Sequence, residues 1–330
     1  MNKISLIFTV LNEGEGLRPL LDSLMFQTLM PDEIVVTDGG SKDNTLELLR
    51  TYQDSLPIRI IETPGANISE GRNRAIAAAQ GEIVAATDAG VVLSPAWLEA
   101  ITRPIRLGDA QVVSGWFEPD PYTDFEVVMS ATVLPSREDI DPEKFLPSSR
   151  SVAFRKTAWQ AVGGYPEWLD YSEDLIFDLA LRELYGSFPF AHKAVAYFRP
   201  RSNMRAYAKQ YYLYARGDGK ADLWRKRHAI RYAVYLIGLP ILLLAIAKNR
   251  LVGWILLLAG GFVYCLRPFA RLRDMTTGWN PLTRLWAFGL VVVIRFVGDV
   301  AKMFGYPAGV LWRRKFRNSA EKDPQSHKPL

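Results

Sequence analysis

Ile4-Ser5-Leu6-Ile7-Phe8-Thr9-Val10 is a near-continuous run of β-favouring apolar residues that gives way to the turn Leu11-Asn12-Glu13. A strand covered on both faces reads this way, as in a parallel sheet flanked by helices. After it, Leu17, Leu20, Leu21, Leu24 and Met25 recur at helical spacing. The alternation then repeats. Residues 33–37 give a second strand, and residues 41–52 a helix with Ser41 or Asp43 as its cap. Residues 58–62 give a third strand, residues 69–79 a helix capped by Ser69, and residues 82–87 a fourth strand that ends at Asp88. This βαβαβαβ order predicts an α/β fold, an open sheet with right-handed crossovers whose ligands bind beyond the carboxyl ends of the strands. Those ends hold Thr9 to Glu13, Asp38-Gly39-Gly40-Ser41, Gly65-Ala66-Asn67 and Asp88-Ala89-Gly90.

The chain has 330 residues, room for one α/β domain of roughly 200 residues and a smaller part. Its single cysteine, Cys265, leaves neither a disulfide framework nor a cysteine-based metal cluster, which points to a reducing cytosol. Residues 4–11 are too short and wrongly flanked for a secretory signal. The net charge of +5 is concentrated in Arg225-Lys226-Arg227, Arg231 and Arg313-Arg314-Lys315-Phe316-Arg317, beside apolar segments. That placement suits anionic lipid headgroups and argues against a nucleic-acid partner.

Several residues at the predicted edge can carry chemistry. Asp38, followed by two glycines, either caps the turn or accepts hydrogen bonds from a base or ribose. Asp88 is either a turn residue or a carboxylate that holds a divalent cation against a diphosphate. Arg72 and Asn73, early in a helix, make a donor-rich arrangement suited to phosphate, or else a solvated helix face. Glu173 and Asp174 open another helix, where the macrodipole keeps carboxylates ionised. Asp174 is the candidate general base, and the bland alternative is an acidic cap. Trp116 either stacks on a sugar or packs, and His192 either reaches the crevice or serves the structure. His228 reads as surface charge.

Together these motifs resemble the family 2 glycosyltransferases of the GT-A fold. The resemblance rests on Thr9-Val10-Leu11-Asn12-Glu13, Asp38-Gly39-Gly40-Ser41-Lys42-Asp43-Asn44-Thr45, Gly71-Arg72-Asn73, Thr87-Asp88-Ala89-Gly90, Gly163-Gly164-Tyr165-Pro166-Glu167 and Glu173-Asp174, in the family's order. It implies a Rossmann-like mixed sheet and a nucleotide-diphosphate sugar as donor. Thr9, Asn12, Glu13, Asp38, Arg72, Asn73 and Asp88 would then bind the donor, and Asp174 with Glu173 would act on the acceptor, Asp174 as base, so that the anomeric centre inverts. The resemblance also implies Mn²⁺ or Mg²⁺ at Asp88, although Gly90 replaces the second aspartate of the usual Asp-x-Asp. His192 is the candidate extra ligand. Where processive synthases carry Gln-x-x-Arg-Trp, this chain has Gln210-Tyr211-Tyr212-Leu213-Tyr214-Ala215-Arg216-Gly217, without the tryptophan. That favours transfer of a single sugar, with Arg216 helping to cover the donor. A polyprenyl-phosphate sugar synthase and a non-catalytic nucleotide-sugar-binding membrane protein are the competing readings. A dinucleotide-dependent oxidoreductase would need Gly-x-Gly-x-x-Gly where Asn12-Glu13-Gly14-Glu15-Gly16 stands.

The sequence thus divides into a catalytic domain over residues 1–225, a membrane region over 226–312 and a basic, disordered cytosolic tail over 313–330. Residues 230–247 and 251–266 are apolar runs near the lower length of a spanning helix, parted only by Lys248-Asn249-Arg250. A third run, 285–311, carries Arg295, Asp299 and Lys302 at near-helical spacing and is expected to lie in the interface. Two spans keep Arg267, Arg271, Arg273 and the catalytic domain on the cytoplasmic side of an inner membrane. The acceptor is then a lipid-linked sugar or a glycan at that face.

Overall fold

The computed structural model describes residues 3–322, with side chains to residue 316. The chain falls into two units: residues 1–120 with 137–199, and residues 121–136 with 200–330.

The first unit is built on an eight-stranded mixed sheet. The first half of the chain supplies β1 (Ile4–Val10), α1 (Arg18–Met25), β2 (Glu33–Asp38), α2 (Thr45–Thr51), β3 (Ile58–Glu62), α3 (Ile68–Ala78), β4 (Ile83–Ala86), β5 (Val91–Leu93), α4 (Trp97–Leu107) and β6 (Val112–Pro119). In the other unit, α5 spans Asp124–Val133. Back in the first unit follow β7 (Val152–Arg155), α6 (Lys156–Ala161), α7 (Glu173–Tyr185) and β8 (Phe190–Phe198). The strand order is β3-β2-β1-β4-β7-β6-β8-β5. The sheet is parallel from β3 to β4 and antiparallel where β7 joins β4. The chain therefore runs outward from β1 to β3 and returns to β4 on β1's other side, which makes the β1–β4 junction a topological switch point, the place where open α/β sheets bind ligands.

Successive residues of β1 serve opposite faces, as the two-residue period of a strand requires. Leu6, Phe8 and Val10 enter one core with Leu20, Leu24, Leu49, Trp97 and Ile101. Ile7 enters the other with Ala75, Ile76, Phe154, Tyr165 and Phe177. Both faces are covered, which explains why β1 and β2 read as continuous apolar runs.

Two expected caps are reassigned. The cap of α3 is Asn67, whose Oδ1 accepts from Glu70 N–H at 3.0 Å while Glu70 Oε2 accepts from Asn67 N–H at 2.9 Å. This reciprocal box outcompetes Ser69, whose hydroxyl donates to Leu169 O instead. At α2, Ser41 is bound to Asp38, and the helix starts later, at Thr45, whose N–H donates to Asp43 Oδ1 at 3.1 Å.

The second unit adds α8 (Met204–Lys220), α9 (Arg225–Ala233), a π turn (Val234–Gly238), α10 (Leu239–Lys248), α11 (Arg250–Met275) and α12 (Pro281–Lys322). Two of its helices are long and apolar enough to cross a membrane, Arg225–Lys248 and Arg250–Met275. The first, with 24 residues, is about 36 Å long, against a hydrocarbon core of about 30 Å. Within it the π turn ends two residues before Pro240, which has no N–H to give and crowds the carbonyl four residues back. Asn249 separates the two helices and caps α11 by accepting from Val252 N–H.

The segment expected over 285–311 belongs to the 42-residue α12, which packs on α5 and α8. It buries Ala287, Val291 and Ile294 with Val128, Tyr207 and Leu272, and leaves Leu285, Val292, Phe296 and Phe304 exposed. The α8–α12 contact is made backbone against backbone. A Cβ on Gly305 would stand 2.1 Å from Tyr212 O, and one on Gly309 would stand 2.0 Å from Arg216 O. The helix also continues through residues 313–322 of the expected disordered tail, and residues 323–330 of that tail lie outside the described residues. His228 is corrected from surface charge to a buried ring, stacked on Tyr306 at 3.9 Å with Nε2 3.2 Å from Asp218 Oδ2.

Because no side chain can give way at that contact, Gly309→Ala is expected to destabilise the second unit by about 1–3 kcal/mol. Thermal unfolding of the full chain in detergent should show it, and an unchanged transition would mean that the helices are not in backbone contact.

Candidate functional site

The carboxyl ends of β1, β2 and β4 form one edge. Thr9 pairs with Thr37 and Val10 with Asp38. Ile7 pairs with Ala86, so that register carried two residues further puts Asp88 level with Thr9. Helix α3 reaches this edge through Gly71, where a Cβ would meet Thr9 Cγ2 at 3.0 Å and Thr37 Oγ1 at 3.2 Å. The Thr37 hydroxyl donates to Gly71 O at 3.1 Å. A side chain at position 71 would push the helix away, and Arg72 is the next residue.

Arg72 is 4% exposed and bridges two carboxylates. Its Nη1 donates to Glu173 Oε1 at 2.7 Å, and its Nη2 donates to Asp88 Oδ1 at 2.9 Å. Arg150 approaches the other oxygen of Asp88, with Nε 3.5 Å from Oδ2, and its guanidinium lies 4.1 Å from the Phe198 ring centroid. Sequence reasoning missed Arg150, which sits in an irregular stretch with no periodicity to mark it. It missed Asp178 too, although the four-residue step from Asp174 puts both on one face of α7. Asp178 is buried, and its Oδ2 lacks a hydrogen-bond partner.

The acids at the start of α7 share a field set by burial. Burial first and Asp174 second push Glu173 up to about 7, against the pull of Arg72. Asp174 is raised by burial, with Arg72 opposing. Asp178 is raised well above the ordinary carboxylate range by burial and by Asp174. Glu173 is tied to the guanidinium, whereas Asp174 Oδ1 accepts from Leu175 N–H at 2.8 Å within its own turn.

The remaining predicted residues divide by what they touch. Asp38 is 1% exposed, and its Oδ2 accepts from Gly40 and Ser41 N–H, each at 2.9 Å, while Oδ1 accepts from the Ser41 hydroxyl. The turn-capping alternative thus describes this carboxylate. Asn12, at a positive φ of 55°, receives Lys42 N–H on Oδ1 at 2.8 Å and donates its own N–H to Ser41 Oγ at 2.9 Å. Glu13 N–H donates to Thr45 Oγ1 at 3.0 Å. These bonds lock the β1 turn against the β2 turn.

Asn73 is corrected from a phosphate ligand to a brace. Its amide donates to Tyr165 O and Glu167 Oε1, and its Oδ1 accepts from Tyr165 N–H and Trp159 Nε1. Trp116, expected to stack on a sugar, is 1% exposed among Phe117, Phe145 and Phe190, with ring centroids 5.2, 5.5 and 5.9 Å away. Arg216 lies on α8, in the second unit.

His192 does not join Asp88. Val91 pairs with Phe198 of β8, and His192 lies back along that strand beyond Val195, in the stretch where β8 bulges out of register with β6 and on the side of Val91 away from Asp88. Among the described residues no three His, Cys, Asp or Glu side chains converge in a way that could hold a metal ion. Asp88 already faces two guanidiniums, and a Cβ at Gly90 would meet open space in place of a second ligand. The side chains at this edge do not form a cage for a divalent ion.

Comparison with known proteins agrees with the geometry. Residues 5–158 match the model of glycosyl transferase family 2. The glycosyltransferase AglE of Haloferax volcanii is 26% identical over 247 residues, which cover 72% of this chain and 80% of AglE. The O-antigen chain rhamnosyltransferase RfbN of Salmonella typhimurium is 24% identical over 226 residues, covering 61% of this chain and 67% of RfbN. An uncharacterised Escherichia coli glycosyltransferase, YibD, is 35% identical over 101 residues, and that match spans 30% of this chain and only 29% of YibD. Among solved structures, the mannosyltransferase PcManGT of Pyrobaculum calidifontis, in complex with GDP-Man and Mn²⁺, superposes with a TM-score of 0.56 at 19% identity, covering 94% of this chain and 87% of that one. Residues 5–158, just under half of the chain, thus carry a family 2 glycosyltransferase domain, and the fold is of the GT-A type seen in the mannosyltransferase.

Proposed function

We propose that the chain moves a single sugar from a nucleotide-diphosphate sugar to an acceptor hydroxyl at the cytoplasmic face of a membrane, with inversion at the anomeric carbon. The observation that carries this reading is the buried Arg72, which brings Asp88 at the β4 edge and Glu173 at the start of α7 together on one guanidinium. The mannosyltransferase of similar fold is complexed with GDP-Man, which supports a nucleotide-sugar donor here.

In this scheme Thr9, Glu13 and the turn braced by Asp38 and Asn12 receive the nucleoside. Asp88 orients the ribose, and Arg72 and Arg150 offset charge on the departing diphosphate. Asp174 takes the proton of the acceptor hydroxyl as its oxygen bonds to the anomeric carbon and the bond to the diphosphate breaks. Glu173, held on Arg72, orients the acceptor. A raised carboxylate, once ionised, is a better base than an ordinary one. Arg216 is assigned to the donor side on the family resemblance.

The two long apolar helices support attachment to the membrane as a hairpin. Arg225-Lys226-Arg227 begins the first, and Arg267, Arg271 and Arg273 lie in the last part of the second. With both ends cytoplasmic the positive-inside rule is met. The acceptor is then a lipid-linked sugar or a glycan at the inner leaflet, and the exposed apolar residues of α12 rest in the interface.

Four measurements test the scheme. Asp174→Asn should lower kcat on a hydroxyl acceptor by about 10²- to 10⁴-fold with little change in donor affinity. The wild-type acid limb should lie above the ordinary aspartate range, with activity rising as pH climbs through it, because burial raises Asp174 and the ionised form is the base. An unaltered kcat would exclude this residue as base. Arg72→Met leaves Glu173 buried beside two other acids and should cost about 3–5 kcal/mol in denaturant titrations. A loss under 1 kcal/mol would deny the bridge its structural role. Gly90→Asp, accommodated in open space, is expected to make transfer respond more strongly to Mn²⁺. An identical response in both proteins would place any ion away from the β4 edge.

A further inference from the structure

The second unit holds a cavity of about 420 Å³, lined by residues of α5, α8, α9, the π turn, α11 and α12. Four cations line it, Arg227, Arg231, Arg295 and Lys302, against one carboxylate, Asp299. That carboxylate is already engaged: it accepts from Arg231 Nε at 2.7 Å, from the Tyr235 hydroxyl at 3.2 Å and from the Tyr264 hydroxyl. Arg231 is thereby neutralised, and the other three cations rest on aromatic rings. The Arg295 guanidinium lies 3.9 Å from the Tyr264 centroid, Lys302 Nζ 4.6 Å from that of Tyr211, and the Arg227 guanidinium 4.1 Å from that of Trp224.

Ring faces attract a cation but do not satisfy its N–H donors. The Nε of Arg295 is buried without a hydrogen-bond partner. Lys302 is pushed down to about 8, by burial first and by Arg231 next, as expected of a cation lacking its counter-ion. Excess positive charge drawn out of water is costly unless an anion joins it.

The cavity's position suggests where the anion comes from. Ile230, Val234 and Tyr235, on the first membrane-length helix, and Tyr264, on the second, belong to its wall. Ile230 and Val234 are exposed and continue into the exposed Leu236 and Ile237. A molecule seated among the cations would therefore run its apolar part along the outer face of the hairpin.

We propose that this cavity binds the phosphate or diphosphate headgroup of an anionic membrane lipid, with Arg295 and Lys302 as the principal ligands and the lipid chain lying against Ile230 and Val234. Tyr211 and Tyr264 hold the two cations in place before the lipid arrives, and Asp299 fixes Arg231 and the tyrosine hydroxyls. The inference rests on the membrane hairpin but not on the assignment of donor or base in the first unit.

The test uses the full chain in nanodiscs of phosphatidylcholine, with or without phosphatidic acid, and reads retained lipid by native mass spectrometry after release into detergent. Wild-type protein should retain phosphatidic acid over phosphatidylcholine, and millimolar inorganic phosphate or pyrophosphate should not displace it. Arg295→Gln with Lys302→Gln should weaken retention about tenfold or more, since charge-assisted hydrogen bonds are lost. Lys248→Gln, in the last turn of α10, should leave it unchanged. No preference for phosphatidic acid in the wild type would overturn the proposal whether or not the double variant folds. So would displacement by free phosphate, or equal loss in Lys248→Gln, which would reduce the effect to general surface charge. Sugar-transfer assays on the same preparations keep the two readings apart, because the donor site can fail while lipid retention survives.

Discussion

One guanidinium, drawn out of water between two carboxylates, organises the first unit. Arg72 could not be buried alone, since the desolvation of a charge far exceeds what packing returns. Its partners come from distant parts of the chain, Asp88 beyond β4 and Glu173 at the start of α7, and the ion triad makes their meeting a condition of folding. The crowding of Gly71 against Thr9 and Thr37 sets the height at which Arg72 emerges. A stability requirement and the proposed functional geometry thus coincide in one side chain. The same burial that the arginine compensates is what raises the neighbouring acids.

Much of this was legible in the sequence because it follows from periodicity. The first four strands lie where their apolar runs predict, since a strand buried on both faces has no polar alternation to obscure it. The ends of those strands were equally legible as a polar edge. Side-chain allegiance was harder to read. Asn73 and Asp38 have the chemistry of ligands, yet their hydrogen bonds close inside the protein. Trp116 could be a platform or a core residue, and only the surrounding phenylalanines, remote in sequence, decide that it is core. Arg150 carried no signal at all, because its stretch has no repeating pattern.

The second unit was legible in hydropathy and obscure in packing. Two apolar helices stand out by length. The role of α12 does not, because its glycines disappear in an average over apolar residues. Those glycines let its backbone lie on that of α8, which turns Gly298, Asp299 and Lys302 inward toward a cavity. The charges that interrupt the third apolar run are therefore a lining. Where a hydropathy profile dips, the helix is turning its polar face to a partner.

The brace formed by Asn73 has a consequence for how this protein can change. It reads Tyr165 through that residue's main-chain N–H and C=O, so a side-chain amide stands in for a neighbouring strand. Such recognition ignores which residue is present and responds to where the peptide lies. Only the exposed positions of loop 163–169 can accordingly drift in composition, because Tyr165 and Leu169 are buried and the Glu167 side chain accepts from Asn73, and the loop's length is under a gauge, since Asn67 and Ser69 also grip the carbonyls of Glu167 and Leu169. Insertions are confined to the stretches on either side of those three contacts. The start of α7 keeps its distance from α3 while the surface of the loop remains open to variation.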